Sequence, residues 1–270
     1  MHPIINTVQL SALPETAILI DAGSGNAAFE RYKQQHLEGA LYADLETDLA
    51  EVPQNAAHGG RHPLPYPDKF ASLLGNLGIT PNSHVVVYDD KNCTNAAARF
   101  WWMLRAAGHT KVQVLDGGLQ AAVAAGFPTT NEITRAVSGE KYPFTNWQLS
   151  LADIDEVREA TQNDNILIID VRAKERYNGL TEPIDLKAGH IPSAINIPLT
   201  ENLNANGTFL SQEKLFEKYS VALNGYDAEH VIVQCGSGVT ACHTLLAIAA
   251  AGLPIPKLYV GSWSEWSRNY

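Results

Sequence analysis

The tract Cys235-Gly236-Ser237-Gly238-Val239-Thr240-Ala241 sets a thiol in a glycine-rich turn, straight after the strand-like run VIVQ at 231–234. An almost wholly apolar, helix-like stretch follows it and ends at Gly252. At a helix N-terminus the first N–H groups lack intrahelical partners and the dipole is positive, so a thiolate or a persulfide anion is stabilised there. The thiolate is the nucleophilic form of cysteine, and Cys235 is therefore the residue on which a chemistry can be built. Free cysteines are more often small buried hydrophobes, and Cys93 and Cys242 are read that way.

The elements that must position Cys235 are written twice in the chain. ILIDAGSGNAAFERY followed by HLEGALYADL is echoed by LIIDVRAKERY followed by HIPSAINIPL. VVVYDD with AAARFWWMLRAAGH is echoed by VIVQCG with TACHTLLAIAAAG, and VQVLDGG by KLYVGSW. The pairs Asp21/Asp170, His36/His190, Asp89/Cys235 and Gly117/Gly261 keep a nearly constant offset, which makes two copies of one domain. Within each copy short β-branched runs alternate with helix-length stretches, the pattern of an α/β fold with a mainly parallel sheet flanked by helices. The expected division is a first domain over 1–130, a linker over 131–150 and a second domain over 151–270. Asp89 occupies the cysteine position of the first copy, so only the second can do thiolate chemistry at this loop. Ligands of open α/β sheets sit off the carboxyl ends of the strands, where Cys235 falls, and the first copy is expected to supply walls to a cleft.

Composition narrows the function classes. The chain has 270 residues, 19 Lys and Arg against 29 Asp and Glu, and a net charge of −10, which argues against a nucleic-acid or anionic-membrane partner. No segment approaches the roughly 18 consecutive apolar residues of a membrane helix, and the amino terminus lacks a basic stretch before its short apolar run. Three cysteines make no disulfide framework, so a reducing compartment, the cytoplasm, is expected. No paired metal-ligand motif or P-loop occurs, and Gly23-Ser24-Gly25-Asn26-Ala27-Ala28 satisfies a dinucleotide pattern only loosely, its repeat counterpart having no glycines. No metal and no cofactor are expected.

Taken together, DVRAKERYNG, AGHIPSAINIP, CGSGVTA and GGRHPLP resemble the tandem-domain rhodanese family of sulfurtransferases, and the loop CGSGVTA resembles that of 3-mercaptopyruvate sulfurtransferases more than the CRKGVTA-like loop of thiosulfate sulfurtransferases. The resemblance implies two rhodanese-like domains, an inactive first and a catalytic second. It implies that Cys235 takes a sulfur atom from a small anionic donor as a persulfide, then passes it to a thiophile such as cyanide, a thiol or a thioredoxin-like protein. Gly236, Gly238, Val239 and Thr240 would cradle the anionic sulfur with backbone N–H groups, and Ser237 adds a hydroxyl.

Arg176 matches the family's arginine for the donor carboxylate, and Arg172 is read as pairing with a protein carboxylate. A second family arginine is missing from Glu182-Pro183-Ile184-Asp185, and Lys187 is close enough in sequence to substitute for it, as a point charge without the fork. His62 matches a cleft histidine, with Arg61 beside it, and Glu46, or alternatively Asp44, matches the acid of a Ser-His-acid relay. Two other classes compete. A cysteine-dependent phosphatase needs an arginine six residues beyond the thiol, where Ala241 stands. A non-enzymatic persulfide carrier would have no use for Arg176 and His62.

Overall fold

The computed structural model describes residues 1–270, which divide into two compact units. The first comprises Met1–Glu51, Pro65–Gln148 and Asn206–Thr208, and the second Val52–Leu64, Leu149–Ala205 and Phe209–Tyr270.

The strands of the first unit are β1 (Ile4–Ile5), β2 (Ile18–Gly23), β3 (His36–Leu37), β4 (Leu41–Asp44), β5 (Val85–Tyr88), β6 (Val112–Leu115) and β7 (Thr129–Thr130). Its helices are α1 (Thr7–Ser11), α2 (Ala28–Gln34), α3 (Pro67–Asn76), α4 (Ala96–Ala106) and α5 (Gly118–Ala124). The second unit holds β8 (Leu151–Ala152), β9 (Leu167–Asp170), β10 (Ile195–Asn196), β11 (Val231–Gln234) and β12 (Lys257–Tyr259). With them come α6 (Ile154–Ala160), α7 (Lys174–Tyr177), α8 (Gln212–Ala222), α9 (Ala241–Ala250) and α10 (Ser262–Asn269).

Each unit is built on one five-stranded sheet, in the orders β1-β6-β5-β2-β4 and β8-β12-β11-β9-β10, with every pairing parallel. The two orders coincide strand for strand, so the repeat in sequence is a repeat in topology. Parallel strands covered on both faces read as unbroken apolar runs, which is why VVVY and VIVQ are wholly buried. One face of the second sheet is closed by Val157, Ala160, Ile191, Trp263 and Trp266 around Ile168 and Ile232. Trp101 and Trp102 lie inside α4, fully packed. The stretch read as a linker runs along the first unit, where Tyr142 N–H donates to the Ala71 carbonyl and Trp147 packs on Phe70.

Candidate active site

β11 is a central strand of the second sheet, paired on one side with β9 and on the other with β12, and Cys235 is the first residue beyond its carboxyl end. Six residues, Cys235 to Thr240, separate the strand from α9, and they are held from outside by α10. The Cys235 N–H donates to Ser262 Oγ at 3.1 Å, and the carbonyls of Cys235 and Gly236 accept the N–H groups of Trp263 and Ser264 at 3.1 and 2.9 Å. Because a trans peptide sets its N–H opposite its carbonyl, the N–H groups of Gly236 and Ser237 turn away from α10. Those two, with the N–H groups of Val239 and Thr240, donate to no protein acceptor. Gly238 has φ +74, and a Cβ there would be driven into the Val260 carbonyl, so this glycine is required by both backbone and space.

The first unit shows what such a loop holds. Asp89, at the position of Cys235, turns its buried carboxylate back into its own loop. There it accepts the N–H groups of Lys91 at 2.9 Å, Cys93 at 2.7 Å, and Asn95 and Ala97 at 3.2 Å. Burial pushes this carboxyl up, and the four donors oppose that by favouring the ionised form. The geometry is therefore an anion cradle, filled by its own side chain in one copy.

His62 belongs to the second compact unit, because the stretch before it is fastened there. Gly59 N–H donates to Glu265 Oε1 at 2.6 Å, Arg61 N–H to Ser264 Oγ at 3.1 Å, and Asn269 Nδ2 to the Ala57 carbonyl at 2.9 Å. This delivers His62 Nδ1 to 2.8 Å from Ser237 Oγ, within the cysteine loop. Glu46 lies just after β4 in the first unit, where its N–H donates to Asp44 Oδ1 at 2.9 Å. Asp44 also accepts the Tyr42 hydroxyl at 2.7 Å.

The arginines separate by partner. Arg172 is consumed: its guanidinium forks onto Asp170 at 2.6–3.1 Å, donates to the Gly189 carbonyl at 2.7 Å and stacks on Trp263. Arg176 donates to Glu182 through Nη2 at 2.7 Å and Nε at 3.3 Å, and its terminal nitrogens lie 3.5 and 3.6 Å from where a Gly236 Cβ would stand. Burial by itself raises the Glu182 carboxyl, yet Arg176 and the N–H groups of Asp185 and Ile184 hold it below the usual carboxylate range. Lys187 is exposed and donates to the Tyr270 carbonyl, so it does not stand in for a missing arginine.

Two participants have little signal in the sequence. Asp185, with a fully buried side chain, gathers Arg61, Arg176 and Arg268. Ser262 sits at φ +52, where the first copy has Gly118, and its hydroxyl anchors the Cys235 backbone. The repeat alignment of Gly118 with Ser262 was the available clue to the second, and nothing local marks the first.

A family model described as the rhodanese-like domain matches residues 8–125 and again 153–269. A Pseudomonas aeruginosa protein named probable 3-mercaptopyruvate sulfurtransferase is 42% identical over 236 residues, which is 87% of this chain and 82% of its own. A Mycobacterium tuberculosis protein named putative thiosulfate sulfurtransferase SseB is 36% identical over 265 residues, 93% of this chain and 85% of its own. The solved 3-mercaptopyruvate sulfurtransferase from Leishmania major superposes with a TM-score of 0.84 at 27% identity, over 99% of this chain and 74% of that one.

Proposed function

The chain belongs to the rhodanese family, and from that premise we propose that it is a sulfurtransferase that moves sulfur from 3-mercaptopyruvate to a thiophilic acceptor through a persulfide on Cys235. The observation that carries this reading is the contrast of the two loops. Asp89 fills its cradle with a carboxylate, whereas in the loop that begins with Cys235 the N–H groups of Gly236, Ser237, Val239 and Thr240 have no protein acceptors.

The first half-reaction is attack of the Cys235 thiolate on the donor sulfur. The S–S bond forms as the S–CH2 bond breaks, and its electron pair leaves as the enolate of pyruvate. The donor's thiol proton passes to the enolate carbon, with Ser237 and His62 as the relay, so the products are pyruvate and a Cys235 persulfide anion. In the second half-reaction the acceptor attacks the outer sulfur and the Cys235 thiolate is restored. Cyanide then leaves as thiocyanate, and a thiol as a persulfide. Two half-reactions through a covalent enzyme give ping-pong kinetics. The N–H groups of the loop stabilise the persulfide anion without reorganising.

Thiol donors and acceptors need a reducing setting, and the three cysteines are buried and form no disulfide. We place the protein in the cytoplasm, with a thioredoxin-like protein or a small thiol as acceptor. No helix is long and apolar enough to cross a membrane. Thiosulfate is the second donor considered, because a relative of similar identity carries that name.

Steady-state turnover of 3-mercaptopyruvate and of thiosulfate, each with cyanide, tests the reading in wild type and Cys235→Ser. A kcat/KM favouring mercaptopyruvate and abolished by the substitution is expected. Preference for thiosulfate would reassign the donor, and no turnover of either would favour a persulfide carrier.

A further inference from the structure

The tract Glu182-Pro183-Ile184-Asp185 contains no arginine, yet a second guanidinium reaches the same place from a distant part of the sequence. We infer that Arg61 is the second arm of the donor clamp, so that Arg61 and Arg176 together grip the carboxylate of a 2-oxo acid donor above Gly236, with Asp185 as the residue that positions both. This rests on the sulfurtransferase reading above and adds to it the group that selects the donor.

Arg61 is placed by its edge. Its Nε and Nη2 donate to Asp185 Oδ1 and Oδ2 at 3.1 and 3.4 Å, a side-on fork that leaves Nη1 without a protein acceptor. Arg176 is arranged in the same way: Nε and Nη2 are spent on Glu182, Nη2 lies 3.5 Å from Asp185 Oδ2, and Nη1 has no protein acceptor. Both side chains therefore hold one edge against buried carboxylates and keep terminal donors for something else. A guanidinium has five N–H donors in a planar fork, so engaging one edge fixes the orientation of the other.

Gly236 is the point of convergence. A Cβ on it would lie 3.1 Å from Arg61 Nη2 and 3.5 Å from Arg176 Nη1. This glycine shows no left-handed backbone, so what it supplies is room: its bare Cα lets two cations reach the residue next to Cys235. In a CRKGVTA-like loop a long side chain would stand there. The positive charge absent from this loop's sequence is thus restored in space by residues 61 and 176.

The charge balance gives the arrangement a direction. Arg61, Arg172, Arg176 and Arg268 form one connected network with Asp170, Glu182 and Asp185, four guanidiniums against three carboxylates. The side chains of Arg61 and Arg176 are 25% and 19% exposed, so the surplus positive charge is partly withdrawn from water. Such a charge is stabilised by an incoming anion, and a surplus of one matches one carboxylate. The loop N–H groups are then left for the sulfur.

The test compares two donors with the same thiol and ketone, 3-mercaptopyruvate and 1-mercapto-2-propanone, the second lacking the carboxylate. Arg61→Ala is expected to raise KM for mercaptopyruvate by roughly 10- to 100-fold, the range for loss of a charge-assisted hydrogen bond, with kcat little changed. Its kcat/KM for mercaptopropanone and its KM for cyanide should stay within about threefold of wild type. Arg61→Lys, which keeps the charge and loses the fork, should be intermediate. Arg268→Ala, which removes one charge of the network but no arm of the clamp, should lower the donor ratio by far less than Arg61→Ala.

Equal losses for both donors, no effect of Arg61→Ala, or an Arg268→Ala variant that matches it would each overturn the inference. Pyruvate binding to the Cys235→Ser protein, followed by saturation-transfer NMR, is the readout independent of turnover. Arg61→Ala in that background should weaken it by the same factor, and unchanged or undetectable pyruvate binding counts against the clamp. A wild type inactive with every donor defeats the sulfurtransferase reading instead, while the pyruvate titration still decides on Arg61.

Discussion

His62 Nδ1 and Ser237 Oγ are hydrogen-bonded at 2.8 Å although 175 residues separate them in the chain, and the bond places an imidazole on the loop that begins with Cys235. The first prediction follows from it. Only the donor half-reaction needs a proton moved from thiol to enolate, so His62→Gln and Ser237→Ala should slow persulfide formation from 3-mercaptopyruvate by roughly 10²- to 10⁴-fold. Discharge of a preformed persulfide to cyanide should be nearly unaffected. Rapid-quench mass spectrometry of the Cys235 adduct separates the two half-reactions, and equal slowing of both would remove the relay.

The second prediction concerns Asp89. Its carboxylate satisfies four N–H groups, those of Cys93 and Ala97 buried, so Asp89→Ala leaves those donors unmet and should destabilise the first unit by about 2–5 kcal/mol in denaturant unfolding. Asp89→Cys should not create a second active loop. The residues that follow are Asp90 and Lys91 where Cys235 has Gly236 and Ser237. Combined with Cys235→Ser it should show no sulfur transfer, and measurable turnover would mean the cradle alone is sufficient.

Ser262 gives the third. It holds φ +52, a left-handed backbone that a non-glycine residue adopts at a cost of about 1–3 kcal/mol, and its hydroxyl both accepts the Cys235 N–H and donates to the Tyr259 carbonyl. Ser262→Gly relieves the strain and loses the anchor. It should leave thermal stability equal or slightly raised while kcat falls about tenfold as the Cys235 backbone loosens. Ser262→Ala keeps the strain and loses both bonds, so it should be less stable by about 1–3 kcal/mol.

The parts of this site that the sequence made legible are those set by local order. Cys235, Gly236, Gly238 and their strand and helix are contiguous, and a parallel sheet of period-free apolar strands announces itself through VVVY and VIVQ. The repeat carried the fold twice over and located Asp89 against Cys235. Arg172 was legible too, because its partner Asp170 is two residues away on the same strand end. Long-range groups were legible only through the family resemblance, which named His62, or not at all. Residues 52–64 are tied to α10 by Glu265, Ser264 and Asn269, bonds across some 200 residues that no local pattern encodes. For the same reason Lys187, near Arg176 in sequence, was a natural substitute for a missing arginine, while Arg61, distant in sequence, is the one beside it in space.

The last prediction is a pH dependence in the first unit. Asp170 is the repeat partner of Asp21, and it is neutralised by Arg172; the residue matching that arginine is Gly23, over whose Cα the ring of Tyr42 packs. Asp21 is 7% exposed, and burial pushes its carboxyl up to about 7, helped by the charges of Asp90 and Asp89 and opposed by the Tyr88 hydroxyl and Arg31. A carboxyl whose folded pKa exceeds its unfolded value makes the native state bind the extra proton, so its contribution is fully present below about pH 4 and is lost as pH rises towards 7. The upper bound on that loss is about 4 kcal/mol, three pH units at about 1.4 kcal/mol each. Asp21→Asn keeps a partner for the Tyr88 hydroxyl and removes the titration. Denaturant midpoints measured from pH 4 to 8 should therefore fall with pH in wild type relative to Asp21→Asn, and the two should differ most above pH 7. Parallel curves would show that Asp21 is ionised in the native state throughout that range, held there by Arg31 and the Tyr88 hydroxyl.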